Sequence, residues 1–207
     1  MRLFIAVIMM LFWAVSAAQV PTAALRYRAD LIRSSRSVWG MDAPVATFAG
    51  QIHQESQWRA NARSPVGAQG LTQFMPSTSA WIAKQYPELS ANQPFNPAWS
   101  MQALVRYDRW LWQRITAANN CERMAMTLSA YNGGLGWVYK DQKVTADRGS
   151  DPKVWFGSVE RFNAGRSAEA LRENRGYPRI ILKTNEPVYQ RANWGSGSCT
   201  TQESRNG

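Results

Sequence analysis

The stretch Val45-Ala46-Thr47-Phe48-Ala49-Gly50-Gln51-Ile52-His53-Gln54-Glu55-Ser56-Gln57-Trp58, with Ser64-Pro65-Val66-Gly67-Ala68-Gln69-Gly70-Leu71-Thr72-Gln73-Phe74-Met75-Pro76 soon after it, decides the reading of this chain. Val45, Phe48, Ala49 and Ile52 recur at three- and four-residue spacing, which predicts an apolar stripe on a helix from about Ala43 to Trp58. Asp42 is placed to cap that helix, and Pro44 suits its first turn. Glu55 falls on the same stripe, three residues past Ile52. A carboxyl on the apolar side loses water, which disfavours its charged form and raises its pKa. That is how a carboxylic acid stays protonated near neutral pH. A glutamate at a helix end ordinarily curls out to solvent. The neighbouring stretch argues otherwise: it is polar, rich in glycine and suited to line a cleft. No other acidic residue occurs between Glu55 and Glu88.

Working outward, residues 21–39 read as a helix with Leu25, Ala29 and Ile32 on one face and Gly40 as its stop. A helix from Leu71 or Pro76 ends at Tyr86-Pro87. Asn96-Pro97 opens a long helix to about residue 117. Asn119 and Glu122 form a capping pair for a helix over 120–131, which Asn132-Gly133-Gly134 stops. Residues 140–153 are polar and read as a surface loop. Short helices are expected over 154–162 and 167–174, and from Tyr177 to Lys183. Arg179-Ile180-Ile181-Leu182 is the best strand candidate, but strand signals are weak throughout. The expected class is mainly α.

The N-terminus carries Arg2, then an apolar run to Val15, then Ser16-Ala17-Ala18. This reads as a signal peptide over 1–18, too short to span a bilayer, and implies an exported, periplasmic protein. A single domain over 19–194 and a polar, flexible tail over 195–207 follow. The formal charge is +10, spread along the chain. Export turns that charge away from nucleic acid and towards the anionic cell envelope, such as lipid heads, teichoic acids and muramyl peptides. Two cysteines, Cys121 and Cys199, in an exported chain favour one disulfide. With His53 the only histidine, no metal-ligand set is visible. His53 reads as a surface residue off the apolar stripe.

Three blocks resemble the lysozyme-like soluble lytic transglycosylase family. The first is Glu55-Ser56 followed by Ser64 to Pro76, close to the family's Glu-Ser and Ser-x-x-Gly-Ala-x-Gly-Leu-Met-Gln-x-Met-Pro. The second is Ser129-Ala130-Tyr131-Asn132-Gly133-Gly134, similar to Ala-Tyr-Asn-x-Gly. The third is Glu173-Asn174-Arg175-Gly176-Tyr177, similar to a late Glu-x-x-x-Tyr element. Thr72 stands where the family has Met, a change that bears on a sugar contact. Asn174 stands where it commonly has Thr.

The resemblance implies a lysozyme-like, mainly α domain with a saccharide-binding groove, acting on peptidoglycan glycan strands without a cofactor. Glu55 would be the single general acid and base, cleaving the MurNAc–GlcNAc bond and leaving a 1,6-anhydromuramyl end. Ser64, Gln73, Tyr131, Asn132, Glu173 and Tyr177 are the expected substrate-side residues. Tyr131 is expected to orient the Glu55 carboxyl or the N-acetyl group, and Gly67 and Gly70 to let backbone approach the sugar. Size and analogy point to a monomer serving a secretion, conjugation or pilus assembly machine. Two alternatives stay open. A muramidase on the same fold would draw a second carboxylate from Asp108, Glu122 or Glu173. A non-catalytic peptidoglycan-binding assembly factor would need no acid. Which of the tryptophans meet sugar is open as well.

Overall fold

The structure is a computed structural model that describes residues 19–199. The expected signal peptide and residues 200–207 of the expected tail lie outside the described residues. The chain is mainly α, with nine α-helices among the described residues. They are α1 (Thr22–Leu25), α2 (Arg28–Trp39), α3 (Val45–Ser56), α4 (Pro76–Gln85), α5 (Pro97–Trp112), α6 (Asn120–Gly133), α7 (Leu135–Asp147), α8 (Ala168–Arg179) and α9 (Glu186–Arg191). A π-helical turn, Ile180–Asn185, joins α8 to α9.

α3 is the axis of the domain. Every residue from Val45 to Ile52 is buried, so the helix is covered on all sides and not along one stripe only. α2, α9 and the π-turn pack on it, α5 packs on α2 and α6, and α8 packs on α6. Gly50 lets the π-turn come this close: a Cβ there would lie 3.1 Å from the Asn185 Cβ and 3.2 Å from the Glu186 nitrogen. Asn185 Nδ2 in turn donates to the Gly50 carbonyl at 3.0 Å.

Several expectations are corrected. Pro44 itself occupies the N-cap position of α3, and no side chain caps that end, so Asp42 does not. Instead Ala46 N donates to the Ser196 carbonyl at 3.0 Å. The chain end thus serves as the cap, and residues 195–199 are tied to the domain. The expected helix over 21–39 is interrupted at Arg26 and Tyr27. Asn96 and Asn119 cap α5 and α6 as expected. Glu122 is not the reciprocal cap: its carboxylate accepts from Trp155 N and Phe156 N at 2.6 and 3.0 Å.

The expected loop 140–153 is largely α7. Its inward positions are Val138, Asp141 and Thr145, so two of the three are polar and hide the helical period. Asp141 is buried there and receives Arg166 and Arg175. The expected helix over 154–162 is a set of turns with only Val159–Arg161 in a 3₁₀ turn. The strand candidate at 179–182 is helical, because a short apolar run fits either structure until its neighbours choose. Pro178 and Pro187 each remove an N–H from the helical ladder, and the wide π-turn lies between them.

Cys121 and Cys199 form a disulfide with their Cα atoms 4.5 Å apart. It ties the start of α6 to the chain end that caps α3. No described helix is long and apolar enough to cross a membrane.

Candidate active site

Glu55 sits on the last turn of α3, where the all-round burial of the helix ends. Directly after it the backbone turns through Gln57 and Trp58, both at positive φ (51° and 64°). That conformation is uncommon outside glycine. Trp58 holds it: its ring is fully buried, and its indole N–H donates to Tyr189 Oη at 2.6 Å. Glu55 is therefore presented by a rigid corner and not by a fraying helix end.

The loop that follows is a self-bonded rim. Ser64 Oγ accepts from Ala68 N at 2.9 Å. Gln69 N donates to the Phe74 carbonyl at 3.0 Å, and Gly70 N to the Ala62 carbonyl at 2.9 Å. Gly70 is required by packing, since a Cβ there would lie 1.9 Å from the Pro94 carbonyl oxygen. Its expected role, backbone approach to a sugar, is replaced by approach to Pro94. Gln73 likewise turns inward: its Nε2 donates to the carbonyls of Gly70 (2.8 Å) and Ala62 (3.2 Å). Its amide nitrogen braces the loop.

A groove of about 300 Å³ opens over these elements. Glu55, Ser64, Gln73, Tyr131, Asn132 and Glu173 all line it. Tyr177 lines an adjoining cleft together with Glu55, Asn132 and Glu173. All seven residues singled out in the sequence therefore converge. Thr72 does not: it is fully buried, its Oγ1 is 2.7 Å from Ser100 Oγ, and it is no sugar contact. His53 faces neither solvent alone nor the groove. It is half-buried edge-on to the Tyr189 ring, with Nδ1 3.2 Å from Tyr189 Oη, and burial lowers its pKa.

The two tyrosines exchange their expected parts. Tyr131 Oη donates to the Thr72 carbonyl at 2.6 Å and is committed to the loop. Tyr177 Oη donates to Glu55 Oε1. The two rings lie nearly parallel, 6.4 Å apart with 7° between their planes. Burial raises both phenol pKa values well above the ordinary range, so Tyr177 stays a donor. Sequence order carried no hint of this exchange, because α6 and α8 meet only in the fold. Asn174 sits at that junction: its Nδ2 donates to the Ser129 carbonyl and to Asn132 Oδ1, and its Oδ1 accepts from Ser129 Oγ.

Burial lifts the Glu55 carboxyl to about 8; the bond from Tyr177 opposes the rise and the charge of Glu173 adds to it. Among the candidate second carboxylates, Glu122 is occupied by backbone N–H groups, as above. Asp108 is fully buried beside Gln51, and burial raises its pKa well above the carboxylate range, with the Glu55 charge adding to it. Glu173 alone of the three lines the groove, where Asn132 Nδ2 donates to its Oε1 at 3.0 Å. Val66, Ala68, Phe74, Met75, Thr78 and Tyr107 complete the lining. Phe74 and Met75 belong to the quoted motif, whereas Tyr107 arrives through α5 and left no local signal. Among the described residues no three His, Cys, Asp or Glu side chains gather as a metal site.

A helical domain that half-buries one protonatable glutamate beside a polar glycine-rich rim, facing an open groove, defines a lysozyme-like carboxyl site. The Transglycosylase SLT domain profile matches residues 39–153, more than half of the chain, and the chain belongs to that family. It is 27% identical over 134 residues to a membrane-bound lytic murein transglycosylase F of Vibrio parahaemolyticus, covering 64% of this chain and 24% of that protein. The corresponding protein of Shewanella halifaxensis is 32% identical over 109 residues, covering 52% of this chain and 22% of its own length. Among solved structures, the 70 kDa soluble lytic transglycosylase of Escherichia coli superposes with a TM-score of 0.61 at 25% identity, over 84% of this chain and 26% of that one. Slt of Pseudomonas aeruginosa has the same fold, with a TM-score of 0.60 at 22% identity over 86% of this chain and 26% of that one. The chain spans about a quarter of the length of these relatives.

Proposed function

We propose that this chain is a peptidoglycan lytic transglycosylase in which Glu55 is the general acid and then the general base. The observation that carries the proposal is the placement of Glu55: its carboxyl is held by Tyr177 and lines an open groove, and burial raises its pKa to about 8, which favours the protonated acid at neutral pH. A protonated carboxyl donates to the glycosidic oxygen as the bond from the muramyl anomeric carbon breaks. The positive charge that develops on the sugar is met by the substrate's own N-acetyl carbonyl oxygen. The Glu55 carboxylate then takes the proton from the muramyl 6-hydroxyl as that oxygen attacks the anomeric carbon. One bond breaks, one forms, the proton returns to Glu55 and no water is consumed. Tyr177 holds the Glu55 carboxyl through both halves, and Ser64, Gln73, Asn132 and Glu173 face the sugar. Export to the cell envelope as a monomer, in the service of a secretion, conjugation or pilus machine, fits this chemistry.

One observation favours a muramidase instead. The Glu173 carboxylate lines the same groove and can position a water. Mass spectrometry of the fragments released from purified peptidoglycan separates the two. Anhydromuramyl ends are expected. Reducing muramic acid ends, which borohydride reduces, would assign the hydrolase, and no release by the wild-type chain would leave the binding-factor reading.

A further inference from the structure

Nine tryptophans lie among the described residues, and their surroundings differ sharply. Trp58, Trp99, Trp155 and Trp194 are buried in the core. Five are partly exposed. Trp39, Trp110, Trp112 and Trp137 each carry a cation over the ring, from Arg109, Arg114, Arg123 and Lys140 respectively. Trp81 is the exception: among the described residues no cation covers its ring and nothing accepts from its indole N–H.

Trp81 stands in a corner. Its ring meets Trp110 at 4.9 Å and 71°, and Tyr107 at 5.9 Å and 68°. With Ser77 and Thr78 these rings line a shallow cleft of about 190 Å³. Thr78 and Tyr107 also line the Glu55 groove, so the cleft continues the groove and is not a separate patch. A β-linked amino sugar keeps its ring substituents equatorial, so both faces of the ring present axial C–H groups. Such a face suits a flat aromatic surface, and its rim hydroxyls and N-acetyl group suit the indole N–H and the Ser77 and Thr78 hydroxyls.

We propose that Trp81, walled by Trp110 and Tyr107, is a subsite for one further amino-sugar ring of the strand cleaved at Glu55. The inference rests on the glycan reading above and deepens it: the chain recognises strands longer than the pair of sugars flanking the scissile bond. Trp81 is a substrate-binding residue distant from the reacting atoms, so its contribution appears only when the strand is long enough to reach it.

The test is chain-length dependence. Peptide-free glycan strands are fractionated into tetrasaccharide and octasaccharide, and the ratio of kcat/KM between the two is measured. Trp81→Ala is expected to lower the octasaccharide-to-tetrasaccharide ratio by about tenfold, the loss expected for removing one aromatic anchor. Trp81→Leu, which keeps apolar packing and removes the flat ring, should lower it similarly, while Trp81→Phe should retain most of it. An unchanged ratio in Trp81→Ala and Trp81→Leu overturns the subsite. If the wild type cleaves neither strand, the transglycosylase reading fails by itself. The subsite is then judged by chitohexaose binding to the Glu55→Gln protein, read by tryptophan fluorescence. Binding weakened about tenfold by adding Trp81→Leu supports it. Equal binding, or none at all, overturns it.

Discussion

The two ends of α3 each hold a carboxyl that burial pushes upward, and they are built for opposite purposes. At the N-terminal end Glu186 accepts from Thr47 Oγ1, from Ser198 N at 3.0 Å and from Cys199 N at 3.2 Å. Those donors, with the Lys183 charge, work against the burial that raises its pKa. At the C-terminal end Glu55 has one donor among the described residues, Tyr177, and looks into an open groove. A buried carboxyl surrounded by donors on both oxygens fixes the chain around it. A buried carboxyl with one donor and an open side is held in place but left able to exchange its proton. Burial alone does not separate them; the number of donors and the access do.

The comparison breaks most readily at the level of activity. Glu55→Gln keeps the shape and the Tyr177 bond but cannot deliver or accept a proton, so muropeptide release should fall by about 10²-fold or more. Glu186→Gln should act chiefly on thermal stability, since the amide is left facing backbone N–H donors with only one acceptor oxygen. If Glu186→Gln abolished release while Glu55→Gln retained a tenth or more of it, the assignment of the two ends would be reversed.

The Glu186 end is sharpened by its disulfide. Cys121 and Cys199 are 78 residues apart, and closing such a loop is worth about 4 kcal/mol in the chain-entropy view. Replacing both cysteines by serine should therefore lower the melting temperature by about 10 °C for a domain of this size. Calorimetry of the intact and substituted proteins reads it directly. A drop of only a degree or two would mean that the chain end holds to α3 through Glu186, Thr47 and Ser198 without the link.

Much of the Glu55 end was legible beforehand, and the Glu186 end hardly at all. The stripe from Val45 to Ile52, the quoted rim and the Tyr131 and Tyr177 blocks are local patterns, and each carries its meaning within about a dozen residues. Glu186 gains its meaning from Thr47 and Ser198, and Thr47 and Ser198 are 151 residues apart. The same limit explains α7, whose inward Asp141 and Thr145 look like surface residues until Arg166 and Arg175 arrive. It also explains the tyrosine exchange: the motif pointed to Tyr131 as the partner of Glu55, and only the packing of α6 on α8 brought the Tyr177 hydroxyl to the carboxyl instead.

The elevated pKa of Glu55 makes its own prediction about stability. In the unfolded chain the carboxyl ionises near 4.5, whereas in the fold it holds its proton to about 8. Folding therefore takes up a proton between these values, and stability from this group is full below pH 4.5 and lost as pH rises towards 8. Glu55→Gln removes that slope. The variant should gain on the wild type by ~1.4 kcal/mol per pH unit inside the window, to a difference on the order of 5 kcal/mol above it. Denaturant midpoints of both proteins across pH 4 to 9 check the trend. A constant difference between them would mean that Glu55 is ionised in the fold at neutral pH, which would remove the acid from the proposed mechanism.

The smallest effects distinguish the two stacked tyrosines. Tyr177→Phe removes the one donor on Glu55, a hydrogen bond to an ionisable group worth about 1.5–3 kcal/mol, so turnover should fall by about tenfold or more. Because that bond holds the Glu55 pKa down, its loss should also move the alkaline limb of the pH–rate profile upward. Tyr131→Phe removes a bond to the Thr72 carbonyl instead. It should cost about 1 kcal/mol of stability, with less effect on turnover and no movement of the alkaline limb. The paired profiles are the deciding measurement, since a general loosening of the groove would lower both rates without shifting either limb. A shifted limb in Tyr131→Phe with an unshifted one in Tyr177→Phe would show that Tyr131 governs the Glu55 proton in solution, and the distinction drawn between the two hydroxyls would fall.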